Sequence, residues 1–176
     1  MRSGTKGFAL VELVVAVAVL AICVAVAVPA VGPMLERQRA TSAMEALATQ
    51  MQLARMAAIT YRQPAVLCPS HDGATCSGVP DWSGGWMLFL DVDGNRRPDP
   101  GEEVIRVEAA PTSRHLRLLA TSGRPQVRYM PDGRSAGSNL TISVCGRDDL
   151  LLGAVILNNM GRPRRFRPVS PHPCPG

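Results

Sequence analysis

Residues 7–35 open Gly7-Phe8-Ala9-Leu10-Val11-Glu12-Leu13 and continue VVAVAVLAICVAVAVPAVGPML to Leu35. From Leu13 to Leu35 the chain carries no charged side chain, a run of 23 residues. A helix needs roughly 20 apolar residues to cross a bilayer core, so the run is long enough to span. Arg2 and Lys6 precede it without an acid among residues 1–7, and this positive flank predicts a cytoplasmic N-terminus. The small residues Ala25-Val26-Ala27 are compatible with an ordinary secretory signal. Glu12 argues against that reading, because a carboxylate in a membrane segment costs roughly 2.5–3.5 kcal/mol on insertion scales and is normally functional.

Beyond Pro33 the apolar run gives way to an amphipathic pattern. Leu35, Ala43, Ala46, Leu47, Met51, Ala54, Ala57 and Ala58 fall on one broad helical stripe, with Glu36, Arg37, Arg39, Glu45, Gln52, Arg55 and Arg62 opposite. One long helix is expected from Phe8 to Tyr61, ended by Pro64. Short strands are expected at 65–68, 85–91, 103–108, 114–120, 126–130, 139–144 and 152–158, separated by Gly, Pro, Asp and Ser clusters. The apolar run Trp86-Met87-Leu88-Phe89-Leu90 reads as central. The expected fold is α+β, a long N-terminal helix packed on an antiparallel β-sheet.

Charge is unevenly distributed along the 176 residues. The stretch 36–110 holds ten acids and seven arginines, and the stretch 112–176 ten arginines and three acids. The C-terminal half is therefore the basic one and points to an acidic partner. Aromatic residues make up 4% of the chain, which argues against a broad base-stacking platform. Fifteen prolines and sixteen glycines argue against an all-helical bundle.

Gly7-Phe8-Ala9-Leu10-Val11-Glu12 resembles the processing site of type IV pilins and type II secretion pseudopilins: a short basic leader ending in Gly, then Phe, then Glu four residues later. The resemblance implies a leader over 1–7, removed between Gly7 and Phe8 by a prepilin peptidase, and N-methylation of Phe8. Glu12 would pair with the Phe8 amine of a neighbouring subunit. A transmembrane or filament-core helix would follow over 8–35, the amphipathic half of the helix over 36–62, and a β-rich periplasmic domain over 63–176. Other pilin or pseudopilin subunits, the peptidase and the inner membrane are the implied partners. Pro29 falls where such proteins often carry a helix-weakening proline.

Five cysteines are present. Cys23 lies in the apolar helix and reads as a small filler. Cys68, Cys76, Cys145 and Cys174 fall in the part expected to cross the membrane, where disulfides are permitted. Four cysteines allow three connectivities. The reading adopted pairs Cys68 with Cys76 across residues 69–75, and Cys145 with Cys174 to staple the tail. Zinc, with His71 and His172 as extra ligands, lacks a paired C-x-x-C spacing.

Asp91, Asp93, Asn95, Asp99 and Glu102 occupy positions 1, 3, 5, 9 and 12 of an EF-hand register. The glycine wanted at position 6 is replaced by Arg96, Pro98 and Pro100 are awkward, and Arg96 and Arg97 bring positive charge to the proposed ion. The loop is read as a long hairpin turn whose polar side chains satisfy local backbone groups, with no metal or other cofactor expected.

Gly161-Arg162-Pro163-Arg164-Arg165-Phe166-Arg167 places four arginines within six residues, without an acid. In an extended chain Arg162 and Arg164 share one face, Arg165 and Arg167 the other. Guanidinium forks suit phosphate oxygens, and Phe166 could stack on an exposed base. Gly161-Arg162-Pro163-Arg164 also resembles the Gly-Arg-x-Arg motif of FimT-type minor pilins. Trp82–Trp86, the acidic hairpin through Glu102, and Cys145 are similar to the wider GspH/FimT group. The resemblance implies double-stranded DNA bound through Arg162, Arg164, Arg165 and Arg167 during natural transformation. A solvated tail or a subunit-contact surface is the equal alternative for the arginines, and a GspH-like pseudopilin of type II secretion the alternative machine. No nucleophile elbow, phosphate-binding loop or dinucleotide fingerprint occurs, so no enzymatic activity is expected.

Overall fold

The computed structural model describes residues 10–109, 115–135, 137 and 139–175. Helix α1 runs over Leu10–Tyr61, continuing through residues 29 and 33. It ends where Arg62 adopts a left-handed backbone, φ 54°, two residues before Pro64. The chain divides into two compact units, one up to Glu36 and one from Arg37 onward.

In the first unit α1 carries no charged side chain from Leu13 to Leu35 and leaves Leu10, Val11, Leu13, Leu20 and Ile22 exposed. Among the described residues no helix is long and apolar enough to cross a membrane. The span over 8–35 thus stays an expectation, with Phe8 and Ala9 outside the described residues.

Among the described residues, the second unit contains the remainder of α1 and eight strands: β1 Ala65–Pro69, β2 Gly85–Leu90, β3 Val104–Ala109, β4 Arg117–Ala120, β5 Val127–Tyr129, β6 Leu140–Cys145, β7 Leu151–Leu157 and β8 Pro163–Phe166. They form two four-stranded antiparallel sheets, ordered β3-β2-β1-β5 and β4-β6-β7-β8, rather than the single sheet expected. The expected central strand is β2, interior to its sheet and buried at all six positions.

The buried apolar residues of α1 are Ala40, Ala43, Met44, Leu47, Met51, Ala54, Ala57 and Ala58. Five of these are alanines. Met44 completes the fit: a Cβ on Gly153 of β7 would lie 2.5 Å from its Sδ. Leu35, counted on this stripe from the sequence, is instead 45% exposed and belongs to the first unit.

A second small core of Val66, Cys68, Met87 and Phe89 lies on the other face of β1 and β2, with Cys76 packed against it. Residues 70–76 cover it, held by the Cys68–Cys76 disulfide. The Asp72 carboxylate organises that loop by accepting the Ala74 and Thr75 N–H groups and the Thr75 and Ser70 hydroxyls. These bonds, led by that from Ala74, hold its pKa below the ordinary carboxylate range.

Candidate functional site: the arginine strand

The basic segment forms a strand of its own, absent from the sequence expectation. β7 ends at Leu157, and the turn through Gly161 is closed by its N–H donating to the Asn158 carbonyl at 2.9 Å. The Asn158 side-chain Oδ1 accepts the Arg162 N–H at 3.1 Å, and the Ser135 hydroxyl donates to the Asn158 carbonyl. β8 then pairs antiparallel with β7, Arg165 opposite Val155 and Arg164 opposite Ile156.

Strand alternation separates the four arginines. Residues directly opposite on neighbouring strands point to the same face, and Val155 is in the core. Arg165 consequently faces α1, where its Nη1 donates to Glu45 Oε1 at 2.6 Å. Arg167, two residues on, donates to the Thr41 hydroxyl at 3.0 Å. Arg164 shares the opposite face with the half-buried Ile156, and Arg162 precedes it at the strand's start. Both are exposed, and no side-chain partner is found for either guanidinium among the described residues. Phe166 is 44% exposed beside Ala154.

After Arg167 the chain bulges and rejoins the start of β7. Leu151 N–H donates to His172, Cys174 N–H donates to Asp149, and Leu150 bridges Pro173. The Cys145–Cys174 disulfide, Cα–Cα 5.8 Å, fixes this tail across β6. Cys23 is the free cysteine, exposed on the first unit's helix.

The acidic loop behaves as a self-satisfied turn. Glu102 accepts the Val92 N–H at 2.7 Å and the Asp99 N–H, Asp93 accepts the Asn95 N–H and side-chain amide, and Asn95 also contacts Asp99. Arg96, at φ 65°, donates its N–H to the fully buried Asp91, whose other oxygen lies 3.1 Å from Arg128 Nε. Ligand oxygens of Asp91, Asp93 and Glu102 come within 4.8 Å of one another. Each nevertheless already serves a loop N–H or, at Asp91, a guanidinium as well.

Gly7 and Phe8 lie outside the described residues. Glu12 sits exposed in the first turn of α1. The chain therefore combines a helix-led N-terminus, two antiparallel sheets and a stapled basic strand. The family model for the type II transport protein GspH matches residues 43–161, more than half of the chain, and a prokaryotic N-terminal methylation motif matches residues 2–28. The chain belongs to the GspH family. Pilin and pseudopilin families of this kind supply structural subunits rather than enzymes.

This GspH-family chain is 35% identical over 98 residues to the pilin-like protein PilA1 of Thermus thermophilus, a match covering 56% of each protein. It thus spans about half the length of that curated relative (56%). Its fold is similar to the type IV minor pilin FimU of Pseudomonas aeruginosa, with TM-score 0.61, 18% identity, and coverage of 81% of this chain and 100% of that one. It is also similar to the minor pseudopilin EpsH of the Vibrio cholerae type 2 secretion system, with TM-score 0.52, 14% identity, and coverage of 75% and 99%.

Sequence reasoning missed Asn158 and Glu45 as organisers of the site. Asn158 had a usable signal, since Asn followed three residues later by Gly between two extended runs reads as a turn. Glu45 had none. Its contact with Arg165 joins residues 120 positions apart.

Proposed function

We propose that this chain is a FimT-like minor pilin of a type IV pilus that contacts double-stranded DNA through Arg162 and Arg164. One observation carries this reading: the exposed guanidiniums of Arg164, on the outer face of β8, and Arg162, just before the strand, have no acidic partner among the described residues, while Arg165 and Arg167 are turned to the helix. A strand anchored at the Asn158–Gly161 turn and at Cys174 presents both groups with little ordering entropy to lose on binding. Phosphate contacts of this kind position a protein on DNA without reading sequence.

Maturation follows from the N-terminal motif. The prepilin peptidase cuts between Gly7 and Phe8, Phe8 is N-methylated, and Glu12 meets that amine on a neighbouring subunit in the filament core. The apolar half of α1 holds the chain in the inner membrane before assembly, with the domain from Arg37 in the periplasm. The 91–102 loop works without a metal, so millimolar calcium leaves the melting temperature unchanged.

The test is DNA binding by the full chain in detergent micelles across a salt series, beside Arg162→Gln/Arg164→Gln. Each neutralised phosphate contributes about 0.9 to the slope of log affinity against log salt, so the variant's slope falls by about 2. Absence of binding by the unmodified chain at low salt overturns the DNA reading. The second reading, a GspH-like pseudopilin of type II secretion with a tip-assembly role, is favoured by the name of the matching family model and by the likeness to EpsH. It retains the fold and maturation and predicts no DNA binding.

A further inference from the structure

Within the second unit, a groove of about 340 Å³ lies where the bulge after Arg167 stands off from the start of β7 and from α1. Arg37 and Thr41 line one side, Leu150, Arg167 and Val169 the other. Among the described residues no acid lines it, and the Arg167 guanidinium is matched by the neutral Thr41 hydroxyl. Leu150 is 39% exposed and Val169 fully so. The groove combines uncompensated positive charge with apolar surface.

The complementary chemistry lies at the other end of the same unit. The Asp91 N–H donates to the Pro64 carbonyl, which sets the 91–103 loop beside the C-terminal end of α1. Thr41 and Tyr61 are twenty residues apart on one helix, about 30 Å at 1.5 Å per residue. The loop presents exposed Asp93 and Glu103 beside Val92 and Val104, which are 59% and 46% exposed. Glu103 has no side-chain partner among the described residues. Arg96 and Arg97 of the same loop line a separate hollow with Thr75 and Gln126.

We infer that the Arg37–Arg167 groove of one copy receives the acidic, valine-flanked 92–104 loop of a second copy. The separation of loop and groove along the helix prevents the two from meeting within one domain. A contact between two different patches is heterologous, so it repeats without closing and stacks copies in one direction. Such growth suits a member of a pilin-type family. Opposite charges at the two ends select this order and oppose the loop-to-loop and groove-to-groove alternatives. The contact uses neither Arg162 nor Arg164, so it is independent of DNA binding.

Sedimentation of the full chain in detergent micelles, without DNA, tests this at low and high salt. The unmodified chain self-associates at low salt and dissociates as salt rises. Arg37→Glu and Glu103→Arg each weaken association by about tenfold or more, as loss of a complementary charge at a contact predicts. An equimolar mixture of the two variants restores it, because the first keeps its acidic loop and the second its basic groove. Arg37→Gln, which removes charge without reversing it, gives an intermediate loss, and circular dichroism confirms that each variant is folded. Any of three results overturns the inference: an unmodified chain that stays monomeric at low salt, association unaffected by salt and by both charge reversals, or variants that fail to restore association when mixed.

Discussion

A Cβ on Gly161 would lie 2.2 Å from the carbonyl oxygen of Gly133, and that same oxygen accepts the Arg55 Nε–H at 2.9 Å. Helix α1, the connection after β5 and the start of the arginine strand thus meet at one carbonyl. Both glycines are left-handed, φ 74° and 77°. Gly161→Ala combines backbone strain with displacement of that carbonyl, and should destabilise the fold by about 1–3 kcal/mol. Urea unfolding measures this. DNA affinity should fall with it although no charge has changed.

Arg165 and Glu45 are half-exposed, with side-chain exposures of 50% and 56%. A double-mutant cycle with Arg165→Gln and Glu45→Gln should return a coupling of about 0.2–1 kcal/mol that shrinks with salt. The DNA salt slope should change far less for Arg165→Gln than for Arg164→Gln, because the former guanidinium faces the helix.

Tyr129 is fully buried, and its hydroxyl has no hydrogen-bond partner among the described residues. Burial pushes the phenol pKa well above its ordinary value of 10.0, against a smaller opposing effect of Arg55. The folded state therefore binds the phenolic proton more tightly than the unfolded state does. The corresponding stability is complete below pH 10.0 and is lost as pH rises through the folded-state value. Tyr129→Phe should be close to neutral at pH 7, since the hydroxyl removed is unsatisfied. Above pH 10 it should lose less stability than the unmodified chain, as thermal melts across the alkaline range will show.

The two disulfides close loops of different length, with sequence separations of 8 and 29. By the loop-entropy estimate, Cys68–Cys76 is worth about 2.5 kcal/mol and Cys145–Cys174 about 3.5 kcal/mol. Cys174→Ser should therefore destabilise more than Cys76→Ser and should make the chain after Arg167 susceptible to proteolysis. Denaturation midpoints and limited digestion of the two variants check this order.

The helix and most strands were legible because their signals are local. The alanine-rich stripe, the apolar Trp86–Leu90 run and the Gly/Pro punctuation each act within a few residues. Strand alternation in 162–167 even anticipated that Arg162 and Arg164 would part from Arg165 and Arg167. The eighth strand was hidden, since prolines and consecutive arginines do not read as a strand. Pairing with β7 decides it, and Pro163, at the strand's first position, is where a missing N–H is tolerated.

Spacing along the chain was enough to specify the N-terminal methylation motif, the long helix, the α+β class and the even set of domain cysteines. Tertiary structure decided the division into two sheets, the engagement of Arg165 with Glu45, and the pairing of Asp91 with Arg128. Each of those joins residues tens of positions apart. Electrostatic and packing contacts at that range depend on how elements dock, and docking is set by the shape of the whole core rather than by any local pattern.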